Sequence, residues 1–272
     1  MNWSLFHYII QPIMHDRLSF YYYRDSALHR LNPLTKLYLV FGLILVSFIL
    51  PFYWASHIII VIGIVPLIFI GKVTREYMNT ALRIILPATG FLFIMQALFQ
   101  PLEGEELFHF WFLHPTLTST LFAFRNAARV FAMASSFTIF LLTTHPRELM
   151  SDLTGRGLPP QIAYVIITTL QILPQMQAKA QTIIAAQRSR GLDTQSTFRK
   201  RVGALVPLVG PLVFGSLVEV EERAIAIEAR GFTSTRAKTS LYEIPDSNLD
   251  KTLRWGSIFL IVLSIVSRIW LS

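Results

Sequence analysis

The sequence predicts an all-α polytopic membrane protein, with about five transmembrane helices and a cytoplasmic domain of three helices between the fourth and the fifth. Three observations predict it. The chain of 272 residues is 53% hydrophobic and only 15% charged, whereas soluble domains carry about 25% charged residues. From Leu37 to Gly71 there is no Asp, Glu, Lys or Arg, a run longer than the roughly 20 apolar residues that one spanning helix needs, so it holds two short spans. Aromatic residues gather where apolar and polar runs meet, as in Phe52-Tyr53-Trp54 and Phe108-His109-Phe110-Trp111-Phe112, and amphipathic rings prefer that interface.

Apolar runs bounded by charge, proline or polar turns place spans at about residues 36–51, 56–71, 84–101, 117–143 and 254–271. The segments between them alternate in charge. Arg17, Arg24, Arg30 and Lys36 precede the first span, and Lys72, Arg75 and Arg83 follow the second. Pro101 to Pro115 carries Glu103, Glu105 and Glu106 with no Lys or Arg, and Pro51 to Ser56 carries no charge. The positive-inside bias puts the N-terminus in the cytoplasm and the C-terminus outside. Residues 1–143 then form an N-terminal transmembrane region, 144–253 a cytoplasmic domain and 254–272 a last transmembrane helix.

The same bias accounts for the net charge of +8 without nucleic acid as a partner. With no cysteine there is no disulfide, thiolate metal site or cysteine nucleophile. The first 30 residues lack an unbroken apolar stretch followed by a small-residue cleavage site, so no cleaved signal peptide is expected.

Residues 144–253 hold 13 of the 24 Lys and Arg residues, yet include apolar stretches at Ile162 to Met176 and Val202 to Val218. Each continues into helix-forming polar sequence, and a helix from Gln161 to Ser189 would be roughly 44 Å long. Two readings are open: long helices that lie against the membrane face and project into the cytoplasm, or a hydrophobic hairpin in the bilayer. In the first, Ala178, Ala180, Ala185, Ala186, Ala224, Ala226 and Ala229 would let the helices cross closely. A short amphipathic helix over His145 to Leu153 precedes them and ends near Gly155-Arg156-Gly157, and Pro159-Pro160 starts the next element.

The long helices end alike, in Ser189-Arg190-Gly191 and Ala229-Arg230-Gly231, 40 residues apart, each followed by an apolar residue, Leu192 or Phe232. Either end alone reads as a cap: Gly takes the left-handed position, and Arg complements the negative end of the helix dipole. Capping needs neither arginine specifically nor two copies. A guanidinium at a helix tip can also dock bidentately on a partner's carboxylate or carbonyls.

Ser-Arg-Gly and Ala-Arg-Gly closing two successive helices resemble the paired signature of the energy-coupling-factor (ECF) ABC transporter transmembrane T component, the EcfT/CbiQ-like family. Leu31-Asn32-Pro33-Leu34-Thr35-Lys36 is similar to that family's Leu-Asp-Pro-Arg-Thr-Lys opening motif, departing from it at Asn32 and Leu34. The resemblance spans the chain in element order and implies a coupling subunit without catalysis of its own. Ser189, Arg190, Gly191, Ala229, Arg230 and Gly231 would dock on two ABC ATPase subunits, and an integral membrane capture subunit would carry a vitamin, a vitamin precursor or a metal ion. ATP and Mg would belong to the ATPases, with no cofactor on this chain, and the setting would be a prokaryotic plasma membrane. The alternatives are the permease subunit of a conventional ABC importer, or a membrane-embedded enzyme.

Arg125 and Arg129, four apart on one helical face, are costly at membrane depth. They line an intramembrane polar site or snorkel to the outer surface. Gly71-Lys72-Val73-Thr74 lacks the upstream glycine of a P-loop, and the seven histidines show no metal-ligand spacing. Glu219, Glu221 and Glu222 lack a histidine constellation and read as a solvated helix face, with Glu219 and Arg223 at i,i+4.

Overall fold

The computed structural model describes residues 22, 24–50, 52–100, 116–191, 198–234 and 245–271, without the side chains of 198–208 and 271. The expected outer loop with Glu103, Glu105, Glu106, His109 and His114 lies outside the described residues, as do Arg17, Leu192 and Asp193. The described residues fall into two compact units, one between Ser19 and Leu158 together with those after Tyr242, the other between Pro159 and Leu241.

The first unit contains five apolar helices: α1 (Pro33–Ile49), α2 (Ala55–Gly71), α3 (Thr74–Phe99), α4 (Leu117–Thr143) and, last in the chain, α8 (Asn248–Leu271), with the short amphipathic α5 (Pro146–Gly155) between α4 and the second unit. Three of them, α3, α4 and α8, are long and apolar enough to cross a membrane. At 1.5 Å per residue, α1 and α2 are only about 25 Å long, a little less than the roughly 30 Å hydrocarbon core. The protein is an all-α polytopic membrane protein.

The third helix begins at Thr74, not near residue 84, so Arg75 and Arg83 lie on α3 and the turn after α2 shrinks to Lys72-Val73. Scattered arginines do not stop a helix, and here the break is made by Lys72 in the left-handed conformation at φ 53°. Two wide π turns, Ile59–Ile64 and Ala81–Ile85, each end just before a proline, Pro66 and Pro87. A proline ring clashes with the carbonyl four residues back and leaves it without a donor. Widening the preceding turn accommodates both effects without ending the helix.

Packing runs α8, α1, α4, α3 across the unit, with α2 against α4 and α5 against α1. Small residues set the closest approaches: a Cβ on Gly42 would stand 3.2 Å from Ser257 Cβ, and the buried Ser47 hydroxyl donates to that of Ser56 at 2.9 Å. Ile64, Ile68, Tyr77, Ala81 and Ile85 meet Ala132, Ile139 and Leu142 of α4 in the apolar core, and the Tyr77 hydroxyl donates to Ser135 Oγ at 2.7 Å. Gly42 lies opposite Ser257 and Asn32 beside Asp250, so α1 and α8 run in the same direction. Lys36 near the start of α1 reaches Thr143 at the end of α4, so α4 runs against both.

The opening motif is a buried joint. The Asn32 side-chain oxygen accepts from Leu34 N–H at 3.0 Å and caps α1, while Asn32 N–H donates to Asp250 Oδ1 at 3.0 Å. The other oxygen of Asp250 accepts from Ser247 N–H at 3.1 Å. Lys36 Nζ donates to the carbonyls of Thr143 at 2.8 Å and His29 at 3.1 Å, placing an ammonium at the negative end of α4. Three helix ends from distant parts of the chain thus meet on one set of polar groups. Beside them, Asp246 pairs with Arg254 and Arg156, and these contacts, first the hydrogen bond from Arg254, hold its carboxyl below the usual range.

The second unit contains two long helices, α6 (Pro160–Ser189) and α7 (Phe198–Ala229). α5 ends where Gly157 takes φ 111° and Leu158 N–H returns to Leu153 O at 3.0 Å, and Pro160 opens α6 at a position where its missing N–H costs nothing.

Candidate functional site

Both long helices stop at their Arg-Gly pairs for a local reason. Gly191 and Gly231 adopt φ of 87° and 70°, a conformation glycine reaches without a Cβ clash. At the end of α7, Phe232 N–H donates to Ile227 O at 3.0 Å and Gly231 N–H to Glu228 O at 2.8 Å, the pattern of a Schellman cap. At the end of α6, Gly191 N–H donates to Arg188 O at 2.9 Å and Arg190 N–H to Gln187 O at 3.1 Å. Ser189, Arg190, Gly191, Ala229, Arg230 and Gly231 are all exposed. Neither the Arg190 nor the Arg230 guanidinium has a hydrogen-bond or ion-pair partner among the described residues, so the backbone supplies the caps and both forks point at solvent.

Side chains fix how α6 and α7 meet. Lys179 and Glu219 form an ion pair, Ser216 Oγ lies 3.3 Å from Met176 Sδ, and the rings of Tyr164 and Phe232 stand 5.2 Å apart. The first two contacts alone would suit helices running the same way, but chain length excludes that. A same-sense crossing at Lys179 and Glu219 would leave Ser189 and Phe198 roughly 46 Å apart, while the nine steps between them span at most about 32 Å. The helices therefore pass in opposite senses, as the Tyr164 to Phe232 contact also requires. Each arginine lies 11 residues beyond its partner in the crossing, so the two tips emerge on opposite sides, on the order of 30 Å apart.

Two sequence expectations change here. Glu219 pairs with Lys179 on the other helix, not with Arg223 one turn on, because the crossing brings the ammonium to it. Ala178, Ala185, Ala186, Ala224, Ala226 and Ala229 are exposed, and the crossing is made instead by Met176, Lys179, Ser216 and Glu219.

Arg125 and Arg129 lie on α4 in the first unit. Arg129 donates from Nε to Ser47 O and from Nη2 to Leu50 O, both at 3.2 Å, so it caps the C-terminus of α1, a partner no local sequence pattern could name. Arg125 lies over the rings of Tyr53 at 5.0 Å and Phe122 at 5.5 Å. The side chains of both arginines therefore reach the end of α1 and the turn between α1 and α2, Arg125 from the first half of α4 and Arg129 from its middle. Among the described residues no three His, Asp or Glu side chains gather as a metal site would require.

A family model described as cobalt transport protein, CbiQ, matches residues 24–241. This chain belongs to the CbiQ family. It is similar to the energy-coupling factor transporter transmembrane protein EcfT of Lactococcus lactis, 24% identical over 257 residues that cover 90% of this chain and 94% of that protein. The EcfT of Limosilactobacillus fermentum is 28% identical over 91% of this chain and 95% of its own length, and that of Exiguobacterium sibiricum 30% identical over 80% and 86%. The family match spans α1 to α7 of the CbiQ-family chain, and with these relatives it supports a membrane component of an energy-coupling-factor transporter.

Proposed function

We propose that this chain is the coupling subunit of an ECF-type ABC importer, linking ATP hydrolysis by two ABC ATPases to movement of an integral membrane capture subunit. The carrying observation is the pair of unpartnered Arg-Gly tips on opposite sides of one helix crossing, a separation that suits two docking grooves rather than one. Each guanidinium would enter a groove of one ATPase and bind carboxylates or carbonyls bidentately. The exposed apolar side chains of α6 and α7, among them Val165, Leu173, Phe214 and Leu217, would hold the capture subunit.

In this reading the chain performs no bond chemistry and binds no cofactor. ATP and Mg stay with the ATPases, and the choice of a vitamin, a vitamin precursor or a metal ion stays with the capture subunit. The N-terminus, both tips and α5 face the cytoplasm of a prokaryotic plasma membrane, and the C-terminus faces outward.

Copurification of tagged protein with its ATPases tests the reading. Arg190→Ala and Arg230→Ala should each weaken one contact by roughly 2 to 5 kcal/mol, and the double variant should lose both ATPases while remaining folded in the membrane. Arg→Lys should rescue poorly, because an ammonium lacks the planar fork. Equal ATPase retention by all variants would reduce the Arg-Gly ends to helix caps.

A further inference from the structure

We propose that Arg125 and Arg268, beside Arg129 at the end of the membrane unit where α1 stops, hold the phosphodiester of an anionic membrane lipid. Each of the three cations has a different degree of engagement. Arg129 is committed to the last carbonyls of α1. Arg125 has its guanidinium faces against Tyr53 and Phe122, which leaves its edge donors, and its buried Nε has no hydrogen-bond partner. Arg268, exposed on α8, makes no hydrogen bond or ion pair among the described residues. The charges that bear on Arg129 are those of Arg125 and Arg268, so the cluster is wholly positive.

Nothing on the described part of this unit neutralises it. The unit's six described acidic residues, Asp25, Glu76, Glu148, Asp152, Asp246 and Asp250, all belong to the opposite end, around the starts of α1, α3 and α8 and on α5. Three guanidinium groups without a carboxylate among the described residues call for an anion, and the edge of a guanidinium matches two oxygens of a phosphate.

The surroundings identify the source of that phosphate as lipid. Tyr53 and Trp54 in the α1–α2 turn and Trp270 near the end of α8 are 52%, 67% and 89% exposed, the placement of rings at a membrane–water boundary. Ile265, about one turn before Arg268, and Ile269, the residue after it, are exposed apolar surface on which an acyl chain can lie. Because α1 and α2, at about 25 Å, are a little shorter than the hydrocarbon core, their shared end lies just below the headgroup layer, a gap that arginine side chains can span.

The test uses the full chain purified in detergent and exchanged into nanodiscs of phosphatidylglycerol or phosphatidylcholine, with retained lipid counted by native mass spectrometry. The wild-type chain should keep phosphatidylglycerol in preference to phosphatidylcholine. Arg125→Gln with Arg268→Gln should lower that retention roughly twentyfold, whereas Lys251→Gln, an exposed cation at the other end, should leave it unchanged. If the double variant fails to fold, Arg268→Gln alone carries the test, since that residue is exposed and unpartnered. Equal retention by wild type and variant overturns the proposal, as does an equal loss in Lys251→Gln. Displacement of the lipid by millimolar inorganic phosphate would assign the site to a free anion. Loss of the capture subunit with lipid retention intact would assign it to a protein contact.

Discussion

The two units of this chain spend their polar groups in opposite ways. In the membrane unit the polar side chains that matter are buried and turned inward: Asn32, Lys36 and Asp250 tie together the ends of α1, α4 and α8. In the helix pair of the other unit the arginines at the tips are exposed and have no partner among the described residues, and much of the apolar surface is exposed as well. A joint whose polar groups are satisfied internally holds its helices together by itself. A unit that leaves cations and apolar surface open has its complement on other chains. The contrast predicts that damage to the first reads out as lost stability, and damage to the second as lost assembly.

The largest stability effect should follow Asp250→Ala. It leaves the buried N–H of Asn32 without an acceptor, at a cost of about 1 to 3 kcal/mol for an unsatisfied buried donor, and it also removes the acceptor of the Ser247 N–H on an exposed residue. A loss of about 3 kcal/mol in thermal or denaturant unfolding of the detergent-solubilised chain is expected; an unchanged midpoint would mean that the joint is not part of the scaffold. Gly42→Val comes next. Its first carbon already stands 3.2 Å from Ser257 Cβ, so the branched side chain must push α1 from α8, at about 1 to 3 kcal/mol for overpacking. Pairing it with Ser257→Gly should recover part of the loss.

A smaller effect belongs to pH. His29 is partly buried, and its Nε2 lies 3.0 Å from Tyr22 O while Nδ1 lies 2.7 Å from Ser26 Oγ. Burial first, and then Lys36 and Arg24, hold its pKa below the usual value near 6.5. The neutral ring is therefore the folded form, and its contribution is complete above about pH 6.5 and lost as pH falls toward the lowered folded value. Melting temperature should decline over that interval, and His29→Gln should flatten the decline. The smallest effect should come from Lys179 and Glu219. Their half-exposed ion pair contributes less than about 1 kcal/mol, so Glu219→Gln should barely change melting, and a large change would make the crossing a stability element like the joint.

The sequence made the spans legible because a charge-free run of 35 residues has few other readings, and it made the Arg-Gly ends legible because helix caps are local. Where α3 starts was less legible: Arg75 and Arg83 looked like turn residues, but a helix tolerates charges that one face can turn to water. The wide turns before Pro66 and Pro87 follow from ring sterics that composition alone does not register. Asp250 acts on a residue 218 positions away, and Arg129 on carbonyls 79 and 82 positions away. Such partners are set by packing, and no window of sequence contains both. Likewise the two tips could be named from the chain, while their emergence on opposite sides follows only once α6 and α7 are known to cross.

The equal spacing of Arg190 and Arg230 from that crossing gives the helix pair the mechanics of shears pivoted at Lys179 and Glu219. With arms of about 16 Å on each side, a relative rotation of about 10° would sweep each tip by about 3 Å, the same distance for both. Two bodies gripping the tips would therefore feel matched displacements, and neither could shift without loading the pivot.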